Sequence, residues 1–121
     1  MSEPPMAEFI TFKRWSLKSA DQEAAVVALV RESILPHYRK LPGCLKLGLL
    51  RIEGTNSYLA TQHWRSKTIR EEVLASPAYA EWFAAYEPAL ERWFELMTFE
   101  EEWETEEILG AEIILSASDS S

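Results

Sequence analysis

Apolar positions along the chain follow two different periods, and the switch between them marks out the elements. Glu8 to Trp15 alternates, with Ile10 and Phe12 pointing one way and Phe9, Thr11, Lys13 and Trp15 the other. This predicts a strand covered on both faces. Ser19 or Asp21 is placed to cap a helix running from Gln22 to about Leu35, where Val27, Val30 and Ile34 mark an apolar stripe widened by Val26 and Leu29. Pro36 is expected to kink or end that helix, leaving His37-Tyr38-Arg39-Lys40 as its last turn before Leu41-Pro42-Gly43 closes it. Cys44 to Ile52 reads as a second strand, with Leu45, Leu47 and Leu49 opposite Lys46, Gly48 and Leu50. A turn at Glu53-Gly54-Thr55-Asn56 leads into the return strand, Ser57 to Arg65, and makes the pair a hairpin. On that strand Tyr58, Ala60, Gln62 and Trp64 share a face, opposite Leu59, Thr61, His63 and Arg65.

Helical spacing then returns. Ser66 is a cap for a short helix to about Leu74, and Ser76-Pro77 is a second start signal. Beyond it Tyr79, Trp82, Phe83, Tyr86, Leu90, Trp93, Phe94 and Met97 keep helical spacing, with Pro88 expected to bend the helix. Thr98 to Leu109 is predicted as the last strand, with Phe99, Glu101, Trp103 and Thr105 on one face. The order is β-α-β-β-α-β, an α+β ferredoxin-like sandwich with a four-stranded antiparallel sheet and its helices on one face. The other face carries apolar residues and needs a cover. A homodimer packed sheet against sheet, a dimeric α/β barrel, supplies one. Residues 8–109 form the expected domain, between tails at 1–7 and 110–121.

Composition narrows the function classes. A chain of 121 residues with 47% hydrophobic content supports one packed core. Its net charge of −8 and the absence of a basic cluster argue against nucleic acid and against acidic membrane surfaces. Met1 to Glu8 lacks the apolar centre of a signal peptide, and no apolar run approaches the roughly 20 residues of a membrane span, so a cytoplasmic protein is expected. One cysteine and two scattered histidines give no metal-ligand spacing, and no metal is expected. The acidic run from Glu100 to Glu107 is read as a solvated edge or as a partner for Arg14, Arg51 or Arg65. There is no Gly-rich phosphate loop, nucleophile elbow or dinucleotide fingerprint.

Three segments carry a family resemblance: Leu41-Pro42-Gly43-Cys44-Leu45, Gln62-His63-Trp64-Arg65-Ser66-Lys67 and Ala75-Ser76-Pro77-Ala78-Tyr79. With the order of elements, they resemble the antibiotic biosynthesis monooxygenase family of the dimeric α/β-barrel superfamily, over roughly Glu8 to Ile108. The resemblance implies an enzyme that oxygenates a small aromatic or polyketide-like substrate with no cofactor. Relatives in that family degrade haem, and many members have no known activity. Two departures stand out. A carboxylate often occupies the position of Gln62, and the haem-degrading branch resembles an Asn, Trp, His constellation. Here the first strand has no Asn and Lys67 to Met97 contains no His.

Oxygenation without a cofactor draws electrons from a deprotonated substrate, so it requires an aromatic-lined cavity, a hydrogen-bond acceptor or base, and exclusion of water. Trp64, Trp82 and Tyr86 are candidates to line such a cavity, with Tyr58 and Phe12 beside them and Gln62 orienting an oxygen. His63 is the candidate base, facing away from Trp64 toward a dimer partner. The rival arrangement has these aromatics filling the core and His63 as a structural hydrogen-bonder, in a non-catalytic dimeric module that binds a small ligand or only stabilises an assembly. His37 and Tyr38, at a helix end, are read as capping or surface residues, Tyr38 at a pocket mouth.

Overall fold

The computed structural model describes residues 7–108. The predicted tails at 1–7 (apart from Ala7) and 110–121, and the end of the last strand at Leu109, lie outside the described residues. Four strands form one antiparallel sheet in the order β2-β3-β1-β4: β1 Phe9–Leu17, β2 Cys44–Arg51, β3 Ser57–Trp64 and β4 Met97–Glu106. Two helical connections, one from β1 to β2 and one from β3 to β4, complete the split βαβ arrangement. β1 is therefore an inner strand of the sheet, paired on both sides.

That central position explains the composition of β1. Its register sets Phe9 opposite Trp64, Thr11 opposite Gln62, Lys13 opposite Ala60 and Trp15 opposite Tyr58, all on one face. Phe9, Trp15, Leu17, Tyr58 and Trp64 from this face are buried with Val26, Ile34, Trp82, Tyr86, Trp93 and Leu96 from the helices. The intervening residues Ile10 and Phe12 point to the open face, where Phe12 meets Trp103 edge-on at 6.5 Å between ring centres.

The first connection is helical from Ala20 to Tyr38, less regular than its pattern predicts. A 3₁₀ turn (Ala20–Gln22) opens it, followed by α1 (Glu23–Leu29), a π-turn (Val30–Ile34) and α2 (Leu35–Tyr38). The expected side-chain caps do not form, because the Ser19 hydroxyl donates to Asp21 instead. Pro36 does not end the helix. Its ring would collide with the carbonyl four residues back, and the wider π-turn just ahead of it makes room. In the second connection Ser66 caps α3 (Lys67–Leu74) by accepting from the Ile69 amide at 3.1 Å. Helix α4 (Pro77–Leu96) begins with Pro77 as predicted and runs through Pro88 without a break.

Two β-bulges rearrange the faces predicted for the outer strands. On β2 the register shifts between Cys44 and Lys46, which makes Leu45 the extra residue and leaves it exposed, apart from Leu47 and Leu49. On β4 it shifts opposite Arg14 and Trp15. Phe99 consequently packs on Trp15 at 5.2 Å, on the helix-covered face, while Trp103 stays on the open one. The extra residue, Glu100, forms an ion pair with Arg14 at 2.9 Å. Arg51 pairs instead with Glu23 at the start of α1.

The turn into β2 rests on Gly43, whose φ is +86°. A β-carbon there would also collide with Ile69 of α3. Gly43→Ala is expected to destabilise the protein by roughly 1–3 kcal/mol from backbone strain alone, with the collision adding to it. Urea unfolding monitored by tryptophan fluorescence measures this, and an unchanged midpoint would mean that neither constraint operates.

Candidate active-site cavity

Between the covered face of the sheet and the helices lies a cavity of about 460 Å³. Leu47, Leu49 and Ala60 line it from the sheet, Trp15 and Lys13 from β1, Val30 and Ile34 from the π-turn, and Phe83, Tyr86 and Trp93 from α4. The space exists because aromatic side chains brace the helices. The Trp82 indole donates to the His37 carbonyl at 2.8 Å, and His37 Nε2 donates back to the Trp82 carbonyl at 3.0 Å. Tyr86 stacks on Trp82 and His37 packs against it at a tilt, with ring centres 4.9 Å away in each case. His37 is thus a clip between α2 and α4, and its expected role as a surface cap is corrected.

Gln62 is fixed at the cavity wall by two partners. Its Oε1 accepts from the Trp64 indole at 3.0 Å, and its Nε2 donates to the Tyr38 hydroxyl at 3.2 Å. An amide held in this way presents a known polarity. Tyr38 is half-buried in the cavity, where its ring meets Trp82 and Tyr86 edge-on at 5.0 and 5.4 Å. Burial raises its hydroxyl far above the usual phenol range, with Tyr86 and Tyr79 reinforcing the effect. Burial also raises the hydroxyl of Tyr86. Both therefore stay protonated at neutral pH, as hydrogen-bonding groups rather than bases.

The predicted site residues divide three ways. Gln62 and Tyr86 line the cavity, and Trp82 stacks directly behind Tyr86. Trp64 is 1% exposed and reaches the cavity only through its bond to Gln62. Its ring lies under α3, with the Arg70 guanidinium 6.0 Å from its centre. Tyr58, Phe12 and His63 are elsewhere. Tyr58 shares the covered face but sits at the far end of β3, donating to Glu23 at 2.6 Å. Phe12 and His63 occupy the open face, where strand alternation places them, and His63 Nδ1 lies 3.5 Å from Glu8. Cys44, opposite Trp64, has its thiol pushed up to about 11 by burial and is a poor nucleophile.

Sequence reasoning passed over Lys13. Its signal was the alternation itself, since Lys13 shares a row with Phe9, Thr11 and Trp15. Among the described residues, no group of three or more His, Cys, Asp or Glu side chains is arranged to hold a metal ion, and no helix is long and apolar enough to cross a membrane.

A buried tyrosine with a raised hydroxyl has a defined effect on stability. As pH rises through about 10, the unfolded state loses its phenolic proton while the folded state keeps it, so stability falls. Below that range the same group exerts no pH-dependent penalty. The thermal midpoint is expected to drop as pH rises from 9 to 11, and less steeply in Tyr38→Phe. Equal slopes in the two proteins would remove Tyr38 as a cause.

Solved structures share this architecture. HapK from Hahella chejuensis superposes with a TM-score of 0.63 at 12% identity, covering 85% of this chain and 94% of that one. SnoaB from Streptomyces nogalater, a cofactor-independent oxygenase, gives 0.55 at 20% identity over 91% of this chain and 98% of its own. A protein of unknown function from Nitrosomonas europaea gives 0.59 at 16% identity over 89% and 96%. At these identities the likeness establishes the fold alone. No curated protein matches by sequence. The family profile for antibiotic biosynthesis monooxygenases matches residues 13–85, more than half of the sequence, and the chain belongs to that family.

Proposed function

We propose that the protein is a cofactor-independent monooxygenase acting on a small aromatic or polyketide-like phenol held between the sheet and the helices. One observation carries the reading: the cavity is about 460 Å³, walled largely by aromatic and aliphatic side chains, with the Gln62 amide pinned at its wall. A core packed solid with aromatics would have left no such space. Family membership and the shared fold of SnoaB, itself a cofactor-independent oxygenase, point the same way.

The chemistry asks little of the protein beyond binding, orientation and shielding. A phenol in its conjugate-base form passes one electron to dioxygen, and the resulting pair combines to form a carbon–oxygen bond. The peroxide then takes up a proton. Its oxygen–oxygen bond breaks as the carbon gives up its remaining hydrogen, leaving a carbonyl and one molecule of water. Substrate supplies the electrons, and the two oxygen atoms end in product and water. Gln62 would orient the substrate oxygen, and Tyr86 with Trp82 behind it would form a flat wall for the ring.

The same reading includes a homodimer. The open face carries Phe12, Trp103 (42% exposed) and Leu50 (54% exposed), and packing two such faces together would bury them. His63 would then sit near the dimer interface, too far round the sheet to act as a base in the cavity.

Oxygen uptake by metal-stripped protein with a panel of anthrones and naphthols tests the activity. Gln62→Leu is expected to lower kcat/KM by about 10-fold or more and, because it leaves the buried Trp64 indole without its acceptor, to destabilise the protein by about 1–3 kcal/mol in urea unfolding. No uptake with any compound, together with retained binding, would favour a non-catalytic ligand-binding module. For the assembly, sedimentation at micromolar concentration is expected to give a dimer, and Trp103→Glu a monomer. A monomeric wild type would contradict the sheet-to-sheet pairing.

A further inference from the structure

We infer that the cavity takes its ligand as an oxyanion, a phenolate or enolate, and that Lys13 is the counter-ion that selects this form. The inference rests on the cavity being the ligand site and adds the ionisation state of what binds there. Its basis is the distribution of charge. The chain carries 20 acidic residues against 12 basic ones. Yet the cavity wall contains no Asp or Glu, while Lys13 and Arg31 both contribute to it. An acidic protein has kept carboxylates out of one apolar space and put two cations in.

Lys13 occupies an unusual place for such a residue. It lies on the central strand, on the helix-covered face, between the buried Thr11 and Trp15. Ala60, directly opposite on β3, is small and leaves room above the strand. Glu102 faces it from β4, but none of the ion pairs among the described residues involves Lys13. An ammonium beside an apolar cavity without a carboxylate partner favours an anion in that space. The other titratable groups facing the cavity are Arg31 at the π-turn and the hydroxyls of Tyr38, Tyr79 and Tyr86, of which the tyrosines remain neutral donors.

This arrangement resolves a chemical difficulty. Oxygenation requires a deprotonated substrate, and no lining residue is a carboxylate or histidine able to remove the proton. With Lys13 as counter-ion, the phenol loses its proton to water and the protein holds the conjugate base. Lys13 binds oxyanion and performs no proton abstraction. It touches the substrate oxygen while Gln62 orients it.

The test uses 4-nitrophenol, whose phenolate is coloured and whose neutral form is not, with nitrobenzene as an uncharged probe of similar size. Wild-type protein in excess is expected to move the colour transition to lower pH, corresponding to phenolate binding about 10-fold or more tighter than phenol. Lys13→Met is expected to abolish the displacement while binding nitrobenzene as wild type does, which shows that the cavity is intact. Lys13→Arg is expected to retain it. An undisplaced transition in wild type, or one that persists in Lys13→Met, overturns the inference and leaves the oxygenase reading standing. Failure to bind either probe removes the cavity as an aromatic site and overturns both. Because no oxygen is consumed, absence of turnover does not affect the result.

Discussion

The cavity depends on a brace between two helices. A helix layer over a sheet ordinarily closes until side chains fill the gap. Here the reciprocal bonds between His37 and Trp82 lock α2 to α4, and the bond from Gln62 to Tyr38 ties that pair to the sheet. Stacked rings of Tyr79, Trp82 and Tyr86 stiffen the α4 side. Removing the brace would let the helices settle onto Leu47, Leu49 and Ala60. The π-turn contributes from the other end, since it carries the chain past Pro36 while presenting Val30 and Ile34 to the space.

The sheet sorts chemistry as well as packing. Central placement of β1 means that each of its residues is committed to one environment: Lys13 to the cavity, Phe12 to the open face. The two bulges then adjust the outer strands. One moves Leu45 out of the row of Leu47 and Leu49, and the other lets Phe99 support Trp15 while Glu100 reaches Arg14. The result separates the two faces by function, with a lined cavity on one and an exposed aromatic surface on the other.

Much of this was legible in the sequence. The order of elements followed from periodicity, and the Pro-Gly turn, the Ser66 cap and the Ser-Pro helix start were all read correctly because each depends on local chemistry. Gln62 and Tyr86 line the cavity because they share a face with, or a helical stripe of, large aromatics, and that placement is readable from the pattern. The departures have separate causes. A bulge changes facing by one residue and leaves no mark in the alternation, so Leu45 and Phe99 were assigned to the wrong companions. Tyr58 was on the correct face, but its distance along the strand, where it binds Glu23, decided its role. Phe12 was grouped with the cavity although its own alternation with Trp15 excluded it. Lys13 shares its row with Phe9, Thr11 and Trp15, but a lone lysine is ordinarily a surface residue and nothing local marks it for the cavity.

A carboxylate-free, cation-bearing cavity in an acidic protein, together with a neutral amide held in fixed orientation, is the feature that best connects this fold to a chemistry. The most direct test of that site is a ¹H–¹⁵N correlation spectrum of the protein titrated with 1-naphthol. The account predicts that the Gln62 side-chain amide shifts, together with the backbone amides of Lys13, Ala60 and Tyr86, while Phe12 and Trp103 remain still. Shifts confined to the open face would place the ligand elsewhere and contradict it.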